Sequence, residues 1–177
     1  KKIKDDLWIK GFFIESLDNW DGKTRVRNFH ELRQRDLMLF TLGDVRGKKI
    51  LDIGCGQAEY LTVIGRMGAK FVAGQDLDEK CITSGRARLE KENIEGKLIV
   101  GDATEIKFPS NYFDSVFSAD FFEHISLQQK KRVIKEVYRV LKPGGSFTIK
   151  TPNLSYLKMI INIKRLINLL KFKSPFI

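Results

Sequence analysis

The sequence predicts an α/β protein: a doubly wound parallel sheet of five strands, order 3-2-1-4-5, held between helices in a three-layer αβα arrangement. Three observations predict it. Five short apolar runs alternate with stretches of helical periodicity. The first run closes on a glycine pair that leads straight into a helix, and the second and third runs are each followed by an aspartate. Strands alternating with helices make βαβ units, whose right-handed crossovers cover both faces of a parallel sheet. The strand order then reverses beside the first strand, which places a ligand crevice at the carboxyl ends there.

The strands are expected at Lys49–Ile53, Phe71–Gln75, Leu98–Val100, Asp114–Ser118 and Ser146–Thr151. Helices are expected at Ala58–Met67, Glu79–Glu92 and Leu127–Leu141. The last of these opens with Ser126 and Gln129, a capping box in which each side chain satisfies an orphan backbone N–H. Its apolar positions Val133, Ile134, Val137, Tyr138 and Leu141 fall on one face. Two further helices, Lys4–Leu17 and Phe29–Leu42, precede the first strand, with a turn through Asp21-Gly22 between them. One more, Leu154–Leu170, follows the fifth strand. The chain thus reads as one domain over residues 1–177: a helical cap over 1–46, an α/β core over 47–152 and a basic amphipathic helix over 153–177.

Composition narrows the class. With 177 residues, 42% apolar and 31% charged, the chain has the make-up of a soluble globular domain. No apolar run reaches the roughly 18 residues of a membrane-spanning helix, and Lys1–Asp6 lacks the apolar core of a signal peptide. Cys55 and Cys81 match no metal-ligand or redox spacing, so no metal is expected and a reducing cytoplasm is the simplest home. The net charge is +10, and half of it lies in residues 151–177, which hold Lys158, Lys164, Arg165, Lys171 and Lys173 and no acid. Such a segment suits an anionic membrane or nucleic acid; a solvated basic face is the alternative.

The sharpest local signal is Leu51-Asp52-Ile53-Gly54-Cys55-Gly56-Gln57-Ala58-Glu59. Glycines at the end of a strand let a ligand approach the backbone, and a following helix offers free N–H groups. Dinucleotide sites want Gly-x-Gly-x-x-Gly. Here Glu59 stands at the last position and Asp52 just before the turn, and both acids oppose a pyrophosphate. The second strand leads into Asp76-Leu77-Asp78. An acid there, about 20 residues after the glycines, can accept from ribose hydroxyls, while Asp78 is placed to cap the next helix. The third strand leads into Gly101-Asp102-Ala103, the fourth into Ser118-Ala119-Asp120-Phe121-Phe122-Glu123-His124, and Leu141-Lys142-Pro143-Gly144-Gly145 reads as a turn before the fifth.

These segments, in this order across residues 49–152, resemble the class I, Rossmann-like S-adenosylmethionine (SAM)-dependent methyltransferases. Asp52-Ile53-Gly54-Cys55-Gly56 matches the opening of their acid-Gly-x-Gly-x-Gly motif, with Ala58 in place of the third glycine, a departure expected to narrow slightly the approach to the cofactor. The resemblance implies that the backbone around Gly54, Cys55 and Gly56 holds the methionine end of SAM and that Asp52 binds its ammonium. It also implies that Asp76, with Leu77 beside it, takes the ribose, and that Asp102 and the Ala103 N–H read the adenine. Ser118 and Ala119, at the end of the fourth strand, join the cofactor-binding set. Asp52 and Glu59 are compatible with SAM, which is cationic and carries no phosphate.

Methyl transfer from a sulfonium needs alignment first and a general base only where the acceptor must lose a proton. His124 is the candidate base, with a structural role beside the loop as the alternative reading; Glu123 is read as a loop anchor. His30, Arg33 and Arg35 lie on the helix before the sheet. Arg35 stands at the distance from the glycines where relatives acting on quinone-like molecules contact the cofactor carboxylate. Trp8, Phe12, Phe13 and Trp20 are read mainly as packing residues, with the wall of an acceptor pocket as their second role. The family sheet has seven strands ending in an antiparallel hairpin. Only one helical segment follows Thr151 here, so the chain is read as truncated or as completing its sheet edge in another way, including by pairing with a second copy. A small-molecule acceptor leads; an RNA or protein methyltransferase, or a SAM-binding module without activity, stay open.

Overall fold

The computed structural model describes residues 37–151. The helices expected over Lys4–Leu17 and Leu154–Leu170, most of the one over Phe29–Leu42, and His30, Arg33, Arg35, Trp8, Phe12, Phe13 and Trp20 lie outside the described residues. Residues 37–42 are helical. The order is then β1 (Lys49–Ile53), α1 (Glu59–Arg66), β2 (Phe71–Asp76), α2 (Glu79–Lys91), β3 (Gly96–Val100), β4 (Phe113–Ala119), a 3-10 turn (Phe122–His124), α3 (Leu127–Val140) and β5 (Leu141–Lys150).

The sheet runs β3-β2-β1-β4-β5 with all four pairings parallel. Strand β1 is buried on both faces, as a central strand between two helix layers must be. On one face Ile50, Val72, Leu98 and Phe117 pack against Leu61 and Ile64 of α1 and Ile82 and Leu89 of α2. On the other, Leu51, Ile53, Phe113 and Val116 pack against Val133, Val137 and Val140 of α3. The connection from β3 to β4 has no helix; Ile106 and Phe108 plug it into the second core. Arg139 fastens it: its guanidinium donates to the Ile106 carbonyl (2.7 Å), the Phe108 carbonyl (2.9 Å) and Glu136 (2.7 Å), while Glu136 accepts from the Ile106 N–H (2.9 Å).

The helix starts follow from their caps. Asp78 accepts from the N–H groups of Lys80 and Cys81 (2.8 and 3.2 Å), which settles it as the cap of α2. Ser126 and Gln129 form the expected capping box of α3. Two expectations need correction. Ile134 and Tyr138 do not share the buried face of α3: they are 50% and 84% exposed, and Val140 completes the buried face with Val133 and Val137. A stripe containing 133, 134, 137 and 138 is wider than the contact one helix makes with a sheet, and the structure buries its valine side.

The second correction concerns Leu141–Gly145. Rather than a turn ahead of β5, it is a bulge within it: Leu141 pairs with Phe113 and Ser146 with Ser115, so Asp114 alone faces residues 142–145. Asp114 pins the bulge, accepting from the Lys142 ammonium (2.6 Å) and from the Lys49 N–H (2.9 Å). Urea unfolding separates the two sides of α3. Val137→Ala is expected to cost about 2 kcal/mol, whereas Ile134→Ala should stay within about 0.5 kcal/mol of the parent.

Candidate functional site

The carboxyl ends of β1, β2 and β3 meet in a pocket of about 210 Å³, walled by Gly54, Gln75, Asp76, Leu77, Gly101, Asp102, Ala103 and Thr104, with Phe121, Ile125, Gln129 and Val133 closing it from the β4–α3 side. Gly54 has a φ of +74°, and a Cβ there would lie 2.8–2.9 Å from the Phe121 side chain, so both the turn and the ring require glycine. The turn is tied down from β2. The Gln75 carbonyl accepts from the Gly54 N–H (2.9 Å), and Asp76 accepts from the Gly56 N–H (2.8 Å) and the Asp78 N–H (2.9 Å).

Gln75 is the residue that sequence reasoning passed over. It is buried, and its side-chain amide donates to the carbonyls of Asp102 (2.7 Å) and Glu105 (3.0 Å) and accepts from the Lys107 N–H (3.0 Å). It therefore shapes the third loop. The signal for it was an amide at the end of an otherwise apolar strand, since a buried amide must find partners.

The structure brings Gly54, Asp76, Leu77, Asp102 and Ala103 to the pocket wall. Asp102 turns one carboxylate oxygen back onto the Thr104 N–H (2.7 Å). Asp52 is off the wall, 2% exposed, and its Oδ1 is buried without a hydrogen-bond partner among the described residues. Burial pushes the Asp52 pKa well above the usual carboxylate range, and the nearby Asp76 charge pushes it the same way. Cys55 and Gly56 are in the turn but not on the wall. The Cys55 thiol is packed in the core on the α1–α2 side, and burial raises its pKa, so the turn presents backbone rather than sulfur. Ser118 is buried with its hydroxyl donating to the Ile53 carbonyl (2.9 Å), and Ala119 stands beside it, off the wall. His124 is exposed on the 3-10 turn and is likewise off the wall. Glu123 accepts from the Thr151 hydroxyl (3.3 Å), as a loop anchor would.

Ala58, in place of the third glycine, does not narrow the pocket. It is fully buried among core residues, and its departure shows instead as a left-handed backbone (φ 60°, ψ 32°) at the start of α1. Asp120 is also left-handed (φ 55°), and its carboxylate pairs with the Lys150 ammonium at the ends of β4 and β5. Among the described residues no cluster of side chains fits a metal ion, and no helix is long and apolar enough to cross a membrane.

A five-stranded parallel sheet in this order, with a glycine turn after β1 and acids after β2 and β3, is the architecture of SAM-dependent methyltransferases. The chain belongs to the methyltransferase-domain family, whose model matches residues 51–149. It is 32% identical to the sterol 24-C-methyltransferase erg6 of Aspergillus fumigatus over 119 residues, 66% of this chain and 31% of that one. It is 33% identical to the demethylmenaquinone methyltransferase of Listeria welshimeri over 125 residues, 66% of this chain and 51% of that one. The chain therefore spans about a third and about half of these relatives. A SAM-dependent methyltransferase from Mesorhizobium loti superimposes with a TM-score of 0.59 at 27% identity, over 65% of this chain and 51% of that one.

The Asp52 environment gives a pH signature. A carboxyl whose folded pKa is raised keeps its proton in the folded state after the unfolded chain has lost it. Stability therefore falls as pH rises from about 4 toward the folded value. Asp52→Asn removes that term. In thermal melts of the ligand-free protein it is expected to melt above the parent at neutral pH, with the gap closing below about pH 4; a gap that does not change with pH would contradict the assignment.

Proposed function

We propose that this chain transfers the methyl group of SAM to a small, apolar acceptor in the cytoplasm. The observation that carries the reading is Asp52: a buried carboxyl with an oxygen that no group among the described residues satisfies, under a left-handed glycine turn. A buried acid is stabilised by a cation placed beside it, and the ammonium of SAM is the cation that members of this family bring. An acceptor of small, apolar character is supported by the substrates for which the two relatives are named, a sterol and demethylmenaquinone.

In this reading the backbone of Gly54, Cys55 and Gly56 holds the methionine end and Asp52 holds the ammonium, directly or through water. Asp76 offers the ribose the lone pairs left over after it accepts from Gly56 and Asp78, since an ionised carboxylate has about four acceptor sites. Leu77, beside Asp76 on the pocket wall, would contact the bound cofactor. The Asp102 oxygen not used by Thr104 takes the adenine amino group, and the Ala103 N–H donates to a ring nitrogen. Ser118 and Ala119 contribute backbone beside the turn. SAM supplies a methyl on a sulfonium, already a good leaving group. The chain's part is to align the acceptor and exclude water, which is worth about 7–11 kcal/mol where orientation is complete. His124, just beyond β4, serves as the base for acceptors that must lose a proton. Free Cys55 and Cys81 support a reducing compartment. The basic segment after Thr151 adds contact with anionic partners.

Calorimetry with S-adenosylhomocysteine tests the site. Asp76→Ala is expected to weaken binding by roughly ten- to a hundredfold, from loss of charge-assisted bonds worth about 1.5–3 kcal/mol. No binding to the parent chain would end the reading. Transfer from methyl-labelled SAM into a lipid extract, compared with RNA and protein fractions, tests the acceptor class. His124→Ala should lower kcat and leave cofactor affinity unchanged; full turnover in that variant would make His124 structural.

A further inference from the structure

We propose that the outer face of α3 is a docking surface for an anionic lipid bilayer. Leu127, Ile134 and Tyr138 are 71%, 50% and 84% exposed. Spacings of seven and four residues place them on one stripe of the helix, turned away from the valines that pack on the sheet. Lys130, Lys131 and Lys135 flank the stripe, and none of them forms an ion pair among the described residues. The acid of the helix, Glu136, is engaged by Arg139 and by the Ile106 N–H and does not offset them.

Single exposed apolar residues are ordinary. Three in a row inside a cationic frame are the make-up of helices that lie in a membrane interface: the apolar side chains enter the acyl boundary while the long cations keep their heads among the phosphates. Charge narrows the candidate occupants. The chain's own segment 151–177 carries five cations and no acid, so it is repelled from this face. A second copy seated on the same face would oppose the same lysines. Nucleic acid would satisfy the cations but leave Leu127 and Ile134 in water, whereas an anionic bilayer satisfies both. The same helix gives Gln129 and Val133 to the pocket wall from a different side. The inference goes beyond the catalytic reading and stands without it.

The full chain is tested by flotation with vesicles of equal parts phosphatidylcholine and phosphatidylglycerol, and with phosphatidylcholine alone. Binding to the anionic vesicles, weakening as salt rises, is expected. The double variant Ile134→Ser/Tyr138→Ser should lose about tenfold or more in vesicle affinity with an unchanged melting temperature. Lys131→Glu/Lys135→Glu should lose binding and flatten its salt dependence. Three results would overturn the proposal: no binding to anionic vesicles at low salt, binding equally strong in both double variants, or capture of single-stranded RNA in place of vesicles. Equal binding in the variants would assign lipid contact to another part of the chain.

Discussion

Gln75 is buried at the carboxyl end of β2 and holds two loops that come from different strands. Its carbonyl takes the Gly54 N–H, and its amide reaches Asp102, Glu105 and Lys107. Gln75 itself is buried, and leaving its own amide unsatisfied would cost about 1–3 kcal/mol. The glycine turn and the third loop are therefore registered against each other through one side chain. The relative positions of Gly54, Asp76 and Asp102, on which the pocket depends, follow from that registration. Asp76 adds the second tie by accepting from Gly56.

Rigidity of this kind lets the site keep an unsatisfied group. Asp52 sits in the sheet with an oxygen that nothing among the described residues answers. Such a group would ordinarily relax outward or draw in a partner. Here β2 and β4 pair with β1 on both sides of it, so the backbone has no freedom to do so. The polar wall toward β2 and β3 and the apolar wall from Phe121, Ile125 and Val133 give the pocket two unlike halves.

Much of this was legible in the sequence, for physical reasons. Strands buried on both faces are continuous apolar runs, so β1 was bounded at Lys49–Ile53 from composition alone. The edges were harder. Strand β3 begins at Gly96, two residues before its first apolar side chain, because backbone pairing with β2 carries it there. The caps of α2 and α3 were readable because Asp78 and Ser126 act locally. The buried side of α3 was not, because apolar residues at 133, 134, 137, 138 and 141 fit two overlapping stripes, and only the sheet chooses between them. In the site, the glycines and acids announced themselves by type and position. Gln75 and Phe121 did not, since their roles depend on loops that only the folded chain brings near.

The bulge between α3 and β5 carries a consequence for how the molecule tolerates change. Helix α3 passes into β5 without an intervening loop, and residues 142–145 are slack between the pairing at Leu141 and its resumption at Ser146. Lengthening or shortening elsewhere in a strand flips every later side chain to the opposite face. At this point the ladder restarts at Ser146 whatever precedes it, so the count of residues in the slack is uncoupled from the facing of Phe147 and Ile149. Helix α3 itself stays fixed, because Leu141 pairs with Phe113 ahead of the bulge and the Arg139 and Val140 carbonyls accept from the Asn111 and Tyr112 N–H groups. That makes residues 142–145 the natural seam at which a change in chain length is absorbed while the pocket, with Gln129 and Val133 on its wall, is inherited unchanged.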